Sequence, residues 1–312
     1  FGKVINNKIR IKKHHFNILD QSLKQFDPKL LKRMKGLIDD PENKAFPIPD
    51  ELSNVLRPYQ LKGYKWMYLL SKHYFGGCLA DDMGLGKTIQ TLAMLLKLKK
   101  SGTKIEIPDK KKASSHQLSL FGRYYQPENE TANTRSVAPT SLVIMPTSLI
   151  HSWQDEITKF TPQLTFYKYT GMNRTRNPEE LYDYDVILTS YGIVRNDFEI
   201  LKKARFYVII LDESQFIKNP TSKIYKAVNT LQGINKFVLT GTPIENSLSD
   251  LWAQFNFLNK GLLGSYHFFK NEFIQPIEKQ KTAAFLQILL LADLALHKKI
   301  PGQRSHDKPK SI

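Results

Sequence analysis

Cysteine is almost absent from this 312-residue chain, where Cys78 stands alone. A single thiol excludes an internal disulfide framework and any zinc site made of cysteines only. It suits a reducing compartment. No apolar run reaches the roughly 18 residues that a membrane-spanning helix needs. The run from Phe285 to Leu296 is too short and carries Asp293. The chain opens on Phe1 rather than Met and shows no signal peptide. It reads as a fragment cut on its N-terminal side, so the missing targeting signals exclude little. Acidic residues are also scarce: 29 Asp and Glu against 46 Lys and Arg leave a formal charge of +17.

That excess sits in residues 1–35, 97–112 and 297–312, and the rest of the chain balances. Each run alone reads as a solvated tail or loop. Together they suit diffuse attraction to a polyanion, and composition does not separate DNA, RNA and acidic lipid. With 41% apolar and 24% charged residues a packed core is expected. The length fits about two domains.

Asp40-Pro41 and Phe46-Pro47-Ile48-Pro49 punctuate the chain after a Lys-rich segment with helical spacing at Leu30, Leu31, Met34 and Leu37. A domain boundary is expected there. Beyond it, strand candidates at Gly77–Ala80, Ser141–Met145, Leu164–Tyr169, Asp185–Leu188, Tyr207–Leu211 and Lys236–Leu239 alternate with helical stretches. The helices are expected at Gln60–Leu70, Lys87–Lys97, Leu149–Phe160, Ser222–Asn229 and Asn246–Asn256. Alternation of this kind, with continuous apolar strands, predicts an α/β fold with a mostly parallel sheet covered by helices on both faces. The polar stretch 101–140 breaks the rhythm and reads as a surface insertion.

Asp81-Asp82-Met83-Gly84-Leu85-Gly86-Lys87-Thr88 follows an apolar strand and opens a helix. Backbone N–H groups at such a helix start point at phosphate oxygens. Gly84 and Gly86 allow close approach, Lys87 can reach the β- and γ-phosphates, and the Thr88 hydroxyl can bind Mg²⁺. The strict phosphate-loop pattern asks for glycine where Asp81 stands, and an ordinary helix-opening turn is the alternative. Asp212-Glu213-Ser214-Gln215 ends a second apolar strand. Adjacent carboxylates there call for a cation: Asp212 can hold Mg²⁺ while Glu213 acts as general base. Thr147, Ser148, Thr189 and Ser190 lie at strand ends, where hydroxyls suit phosphate oxygens of a nucleic-acid backbone. Trp66, Trp153 and Trp252 fall on helical apolar faces and read as core. His73, His151 and His267 lack ligand spacing.

These motifs resemble the first RecA-like lobe of the Swi/Snf-type ATPases in helicase superfamily two. Leu56 to Trp66 is similar to that family's adenine-recognition segment, which implies a nucleotide role for Arg57 and Gln60. Asp81 to Thr88 matches its first motif, Asp81 included, so Met83, Gly84, Leu85, Gly86, Lys87 and Thr88 are implied in ATP binding. Asp212 to Gln215 with Ile217 to Pro220 resembles its second motif, implying catalytic roles for Lys87, Asp212, Glu213 and Gln215. Ser141 to Trp153 and Asp185 to Tyr191 resemble segments that touch the nucleic-acid backbone, implying Pro146, Thr147, Ser148, Thr189, Ser190 and Tyr191. Leu239 to Asn246 with Leu251-Trp252 resembles the third motif, in which Thr240, Gly241 and Thr242 couple the ATP site to DNA movement.

The resemblance implies a P-loop, RecA-like ATP-binding lobe over 48–284, after a basic helical extension over 1–47. It implies ATP and Mg²⁺ as cofactors, and duplex DNA read with little sequence specificity. A DNA-bound protein, such as a polymerase or chromatin-like protein, is a further implied partner, and no membrane is. The implied activity is ATP-driven translocation that remodels protein–DNA complexes. A truncated ATP- and DNA-binding fragment without catalysis is the alternative. The family's second lobe has no counterpart here. Residues 285–312 depart from the family pattern and read either as out of frame after about residue 288 or as a divergent linker. Placement in a bacterial cytoplasm or nucleoid, or a eukaryotic nucleus, is expected.

Overall fold

The computed structural model describes residues 3–5, 8–10, 46–108, 134–241, 248–261, 263–275 and 296–297. Side chains from alternate strand positions leave for opposite faces, and here both faces are buried. Six strands follow: β1 (Gly77–Leu79), β2 (Ser141–Met145), β3 (Phe166–Lys168), β4 (Val186–Ser190), β5 (Arg205–Asp212) and β6 (Gln232–Leu239). Their spatial order is β1-β6-β5-β2-β4-β3, and every pairing is parallel. Leu296–His297 adds a short parallel segment outside β1.

Val143, Met145, Val208 and Ile210 pack on one face under α1 (Pro58–Lys72), α2 (Lys87–Lys100) and α3 (Ile150–Phe160). Leu142, Ile144, Ile209 and Leu211 pack on the other under α4 (Tyr191–Leu201), α5 (Lys223–Thr230) and α6 (Leu248–Leu258). The expected parallel α/β sheet with helices on both faces is therefore what forms. Hydrogen bonds tie the layers at their ends. The Asn259 amide, just past α6, accepts from Gly76 N and donates to Gly76 O, each at 2.9 Å. Asp185 Oδ2 accepts from Lys99 at 2.7 Å and from the Thr165 backbone and hydroxyl.

Three expectations need correction. Helix α4 was not expected: Ser190 caps it by accepting from Ile193 N, but Asp197 has non-helical dihedrals inside it and interrupts the apolar periodicity. The expected insertion at 101–140 is too wide. Ile105–Pro108 and Thr134–Val137 pair antiparallel, with Ile105 and Ile107 fully buried and Arg205 donating to the Glu106 carbonyl. The basic extension opens as a strand pair, Lys3–Ile5 against Lys8–Arg10, rather than as a helix. The helical spacing at Leu30 to Leu37 lies outside the described residues, as does the tail 285–312 apart from Leu296–His297.

Removing 109–133 and joining the two short strands by a tight turn is therefore expected to leave the thermal midpoint nearly unchanged. Ile107→Ala should cost about 2–4 kcal/mol in denaturant unfolding, because it opens a buried cavity.

Asp197 is one source of pH-dependent stability in the fold. Its buried carboxylate binds Arg174 through two N–H groups, one at 2.9 Å, and also takes Arg176 and the Tyr169 hydroxyl, both at 3.1 Å. The Arg174 hydrogen bonds hold its pKa below the usual carboxylate value. A depressed pKa contributes stability that is complete above the unfolded value, roughly 3.9, and disappears as pH falls through the folded one. Asp197→Asn should destabilise by about 3 kcal/mol at pH 7. The gap from wild type should close below roughly pH 4 in urea unfolding across pH.

Candidate nucleotide site

The chain leaves β1 through buried Ala80 and Asp81, turns in left-handed conformations at Gly84 (φ 79°) and Gly86 (φ 73°), and enters α2 at Lys87. The left-handed φ favours glycine at Gly86, where a Cβ would also lie 2.5 Å from Gln60 Nε2 and displace that amide. The first N–H groups of α2 thus stand at the carboxyl edge of the sheet, ready for an anion. Asp81 Oδ2 accepts from Gln90 Nε2 at 3.0 Å, bracing the loop against α2 as a glycine could not. Lys87 Nζ is folded over its own loop, donating to the carbonyls of Asp81 (2.9 Å) and Asp82 (3.1 Å).

Strand β6 separates β1 from β5, whose end carries the acidic pair. Asp212 is buried. Its Oδ2 accepts from Trp153 Nε1 at 2.9 Å and its Oδ1 from Glu213 N at 3.0 Å. Burial pushes its carboxyl pKa upward, the Trp153 hydrogen bond opposes that, and the neighbouring Glu213 adds to the rise. Glu213 is half-buried and left-handed at φ 52°, a conformation that costs a non-glycine residue about 1–3 kcal/mol. Gln215 is exposed.

The residues fit a magnesium ion. A buried carboxylate with a raised pKa benefits from a cation, and the Thr88 hydroxyl offers a second hard oxygen. Among the described residues no cluster of three or more His, Cys, Asp or Glu could hold a metal alone. Mg²⁺ bound together with nucleotide takes only one or two protein ligands, the rest being phosphate and water.

One residue at this site was not found by sequence reasoning. Glu156, on α3 one turn beyond Trp153, is half-buried and lies near the Thr88 side chain. Burial raises its pKa, and the charge of Asp212 adds to the rise. Only its spacing from Trp153 could have pointed to it.

The other expected residues divide. Gln60 lies beside the loop, but its amide is engaged: Nε2 donates to Leu85 O at 3.1 Å and Oε1 accepts from Arg57 N at 2.9 Å. Arg57 is exposed, as is Met83. Thr240 N donates to Leu79 O, and a Cβ on Gly241 would lie 3.3 Å from Met83 Cγ, so the third motif rests on the phosphate loop. Thr242 lies outside the described residues. Thr147 and Ser148 are exposed beside half-buried Pro146. Free hydroxyls do not occur at the second expected nucleic-acid segment. Thr189 is buried and donates to Tyr169 O, Ser190 caps α4, and buried Tyr191 donates to Asp212 O at 2.8 Å. Their side chains serve the fold because β4 and α4 lie inside the layered core. Trp153 and Trp252 are buried as expected. Burial pushes the Cys78 thiol up to about 12, which makes it an inert core group.

A glycine loop with Lys-Thr at the start of a helix, one strand away from an Asp-Glu pair on a parallel sheet, defines a P-loop lobe of RecA type. The chain belongs to the SNF2-related domain family, whose model matches residues 59–298. It is 36% identical over 255 residues to the putative ATP-dependent helicase/translocase YwqA of Bacillus subtilis, covering 81% of this chain and 24% of that protein. It is 35% identical to the TATA-binding protein-associated factor MOT1 of Saccharomyces cerevisiae, covering 86% of this chain and 13% of that protein. The chain thus spans a quarter or less of these relatives. A solved structure of the Sulfolobus solfataricus SWI2/SNF2 ATPase core in complex with dsDNA superposes with a TM-score of 0.62 at 39% identity. That match covers 77% of this chain and 43% of the archaeal one.

Lys87→Ala is expected to remove about 1.5–3 kcal/mol of ATP-analogue binding, the worth of a charge-assisted contact. Calorimetric titration of wild type and variant checks this, and equal affinities would refute the assignment.

Proposed function

We propose that the chain is the ATP-binding lobe of a DNA-dependent ATPase that moves along duplex DNA and remodels protein–DNA complexes. The observation that carries the reading is the convergence of the Gly84–Thr88 loop and the Asp212-Glu213 pair across β6. The Sulfolobus core in its complex with dsDNA supports the choice of DNA, as do the exposed Thr147 and Ser148 at the carboxyl edge of the sheet.

On this reading Lys87 leaves the Asp81 and Asp82 carbonyls for the β- and γ-phosphates, where the N–H groups of α2 already point. Thr88 and Asp212 hold Mg²⁺, which when bound neutralises charge on the phosphate oxygens. Glu213 takes the proton of the attacking water at its carboxylate. Gln215 follows on the exposed turn and helps to orient that water. Gln60, tied to Leu85, sets the adenine side of the loop, and Arg57 stands at its exposed rim. Thr240 and Gly241 report the state of the loop to the DNA side.

By itself the lobe places its cations on one side of the phosphoryl group. The family resemblance assigns the opposing arginine finger to a second lobe, and such a finger is worth roughly 10³–10⁵ in rate. The lobe alone is therefore expected to bind ATP weakly and to show no DNA-stimulated turnover. Joined to a second lobe it should hydrolyse ATP faster with duplex DNA than with RNA. There, Glu213→Gln should keep ATP binding and slow hydrolysis about 10²–10⁴-fold, as loss of a general base does. Near-normal turnover by that variant would assign the base to another residue. Stimulation by RNA alone would replace DNA as the partner.

A further inference from the structure

The amino end of β6 and the carboxyl end of α6 border a cavity of about 260 Å³, at the edge of the sheet away from the phosphate loop. Tyr74, Ile234, Lys236, Phe257, Asn259 and Lys260 line it. Lys236 is half-buried, and its Nζ lies 4.8 Å from the centroid of the Phe257 ring. No carboxylate lines the cavity, and among the described residues neither lysine has an ion-pair partner. We propose that this cavity binds a small oxyanion, a phosphate or a carboxylate, between Lys236 and Lys260.

The argument is one of charge balance. An ammonium withdrawn from water is costly unless an opposite charge accompanies it. Here the neighbouring charge has the same sign. The face of the Phe257 ring offsets part of the cost. It does not restore the balance: burial pushes the Lys236 amine down to about 8, and the charge of Lys260 adds to the fall. An oxyanion would supply the missing counter-charge to both lysines through charge-assisted hydrogen bonds. Tyr74 holds a left-handed backbone at φ 59° beside the cavity, a strained conformation of the kind found at ligand clamps, and its exposed phenol is a further donor. The volume lies below the roughly 300–1,000 Å³ of pockets for drug-sized ligands, which suits a small anion and not a nucleotide. Lys236 precedes Thr240 by four residues, about 13 Å along β6, so the anion would be separate from the phosphates of ATP. Asn259, whose amide clasps Gly76, faces the same cavity. Occupancy is therefore expected to stabilise the joint from which β1 starts.

The test uses the purified 312-residue chain carrying Lys87→Ala as parent, so that the lysine of the phosphate loop makes no contribution. Its thermal midpoint is followed by circular dichroism against inorganic phosphate and, separately, against acetate, with chloride holding the ionic strength constant. An anion that binds only the folded state should raise the midpoint by about 2–4 °C at tenfold over its dissociation constant. Phosphate also stabilises folded proteins by exclusion from their surface, so the difference between variants is the quantity that counts. Lys236→Met keeps an apolar stem over Phe257, removes the charge, and should lose the saturable shift. Lys236→Arg keeps the charge and should retain it. Lys260→Gln alters an exposed side chain, should weaken the shift, and decides the matter if Lys236→Met fails to fold. Whichever anion gives the shift identifies the headgroup as phosphate or carboxylate. Equal shifts in the parent and in these charge-removing variants, or no saturable shift with either anion, would overturn the proposal.

Discussion

A carboxylate kept out of water at the end of β5 is the constraint around which this lobe is arranged. Asp212 is buried, and a buried charge is tolerated only where donors are fixed in place around it. The donors come from both sides of the sheet. Trp153 reaches it from α3 on one face, and Tyr191, at the start of α4 on the other face, holds its carbonyl. The next residue, Glu213, supplies a backbone donor while adopting a left-handed turn. Both helical layers are therefore registered against the sheet at one residue, and that residue is where chemistry is proposed.

The phosphate loop obeys the complementary rule. Its glycines are dictated by positive φ at Gly84 and Gly86, and at Gly86 also by the Gln60 amide beside it. Lys87 is satisfied by the carbonyls of Asp81 and Asp82. One wall of the site thus holds a cation against its own backbone, and the other holds an anion against an indole. Each wall carries polar groups that a nucleotide with its cation could engage, and β6 sets their separation.

Much of this architecture was legible in the sequence. Ser141–Met145 was bounded correctly, and five expected helices came within a few residues of those that form, because their apolar periodicity was unbroken. The glycine loop and acidic pair were legible because local motifs fix their own geometry. What escaped notice was set by tertiary contact. Asp197 concealed α4 because its polar side chain sits where a helix would show an apolar one, compensated by arginines 21 and 23 residues away. Ile105 and Ile107 looked like part of a polar insertion until a partner strand buried them. Thr189 and Ser190 were expected to present free hydroxyls at strand ends, and composition says nothing about which hydroxyls the fold itself uses. Trp153 was legible as core, but its polar edge and Glu156 gained their meaning only when α3 docked.

The order of strands has a consequence for how the lobe comes into being. β1 is the first strand of the sheet along the chain, yet it pairs with β6, the last of the six, and Gly76 is clasped by Asn259, 183 residues later. Contacts of such sequence separation require a large loop to close before any pairing rewards it. The segment that leads into the phosphate loop is thus made early during synthesis and anchored late. Until the chain has passed Leu239 the loop lacks its neighbouring strand, and until it has passed Asn259 it lacks its clasp. Nucleotide affinity is in this sense a property of the finished lobe, and a nascent chain displays the glycine motif long before it can use it.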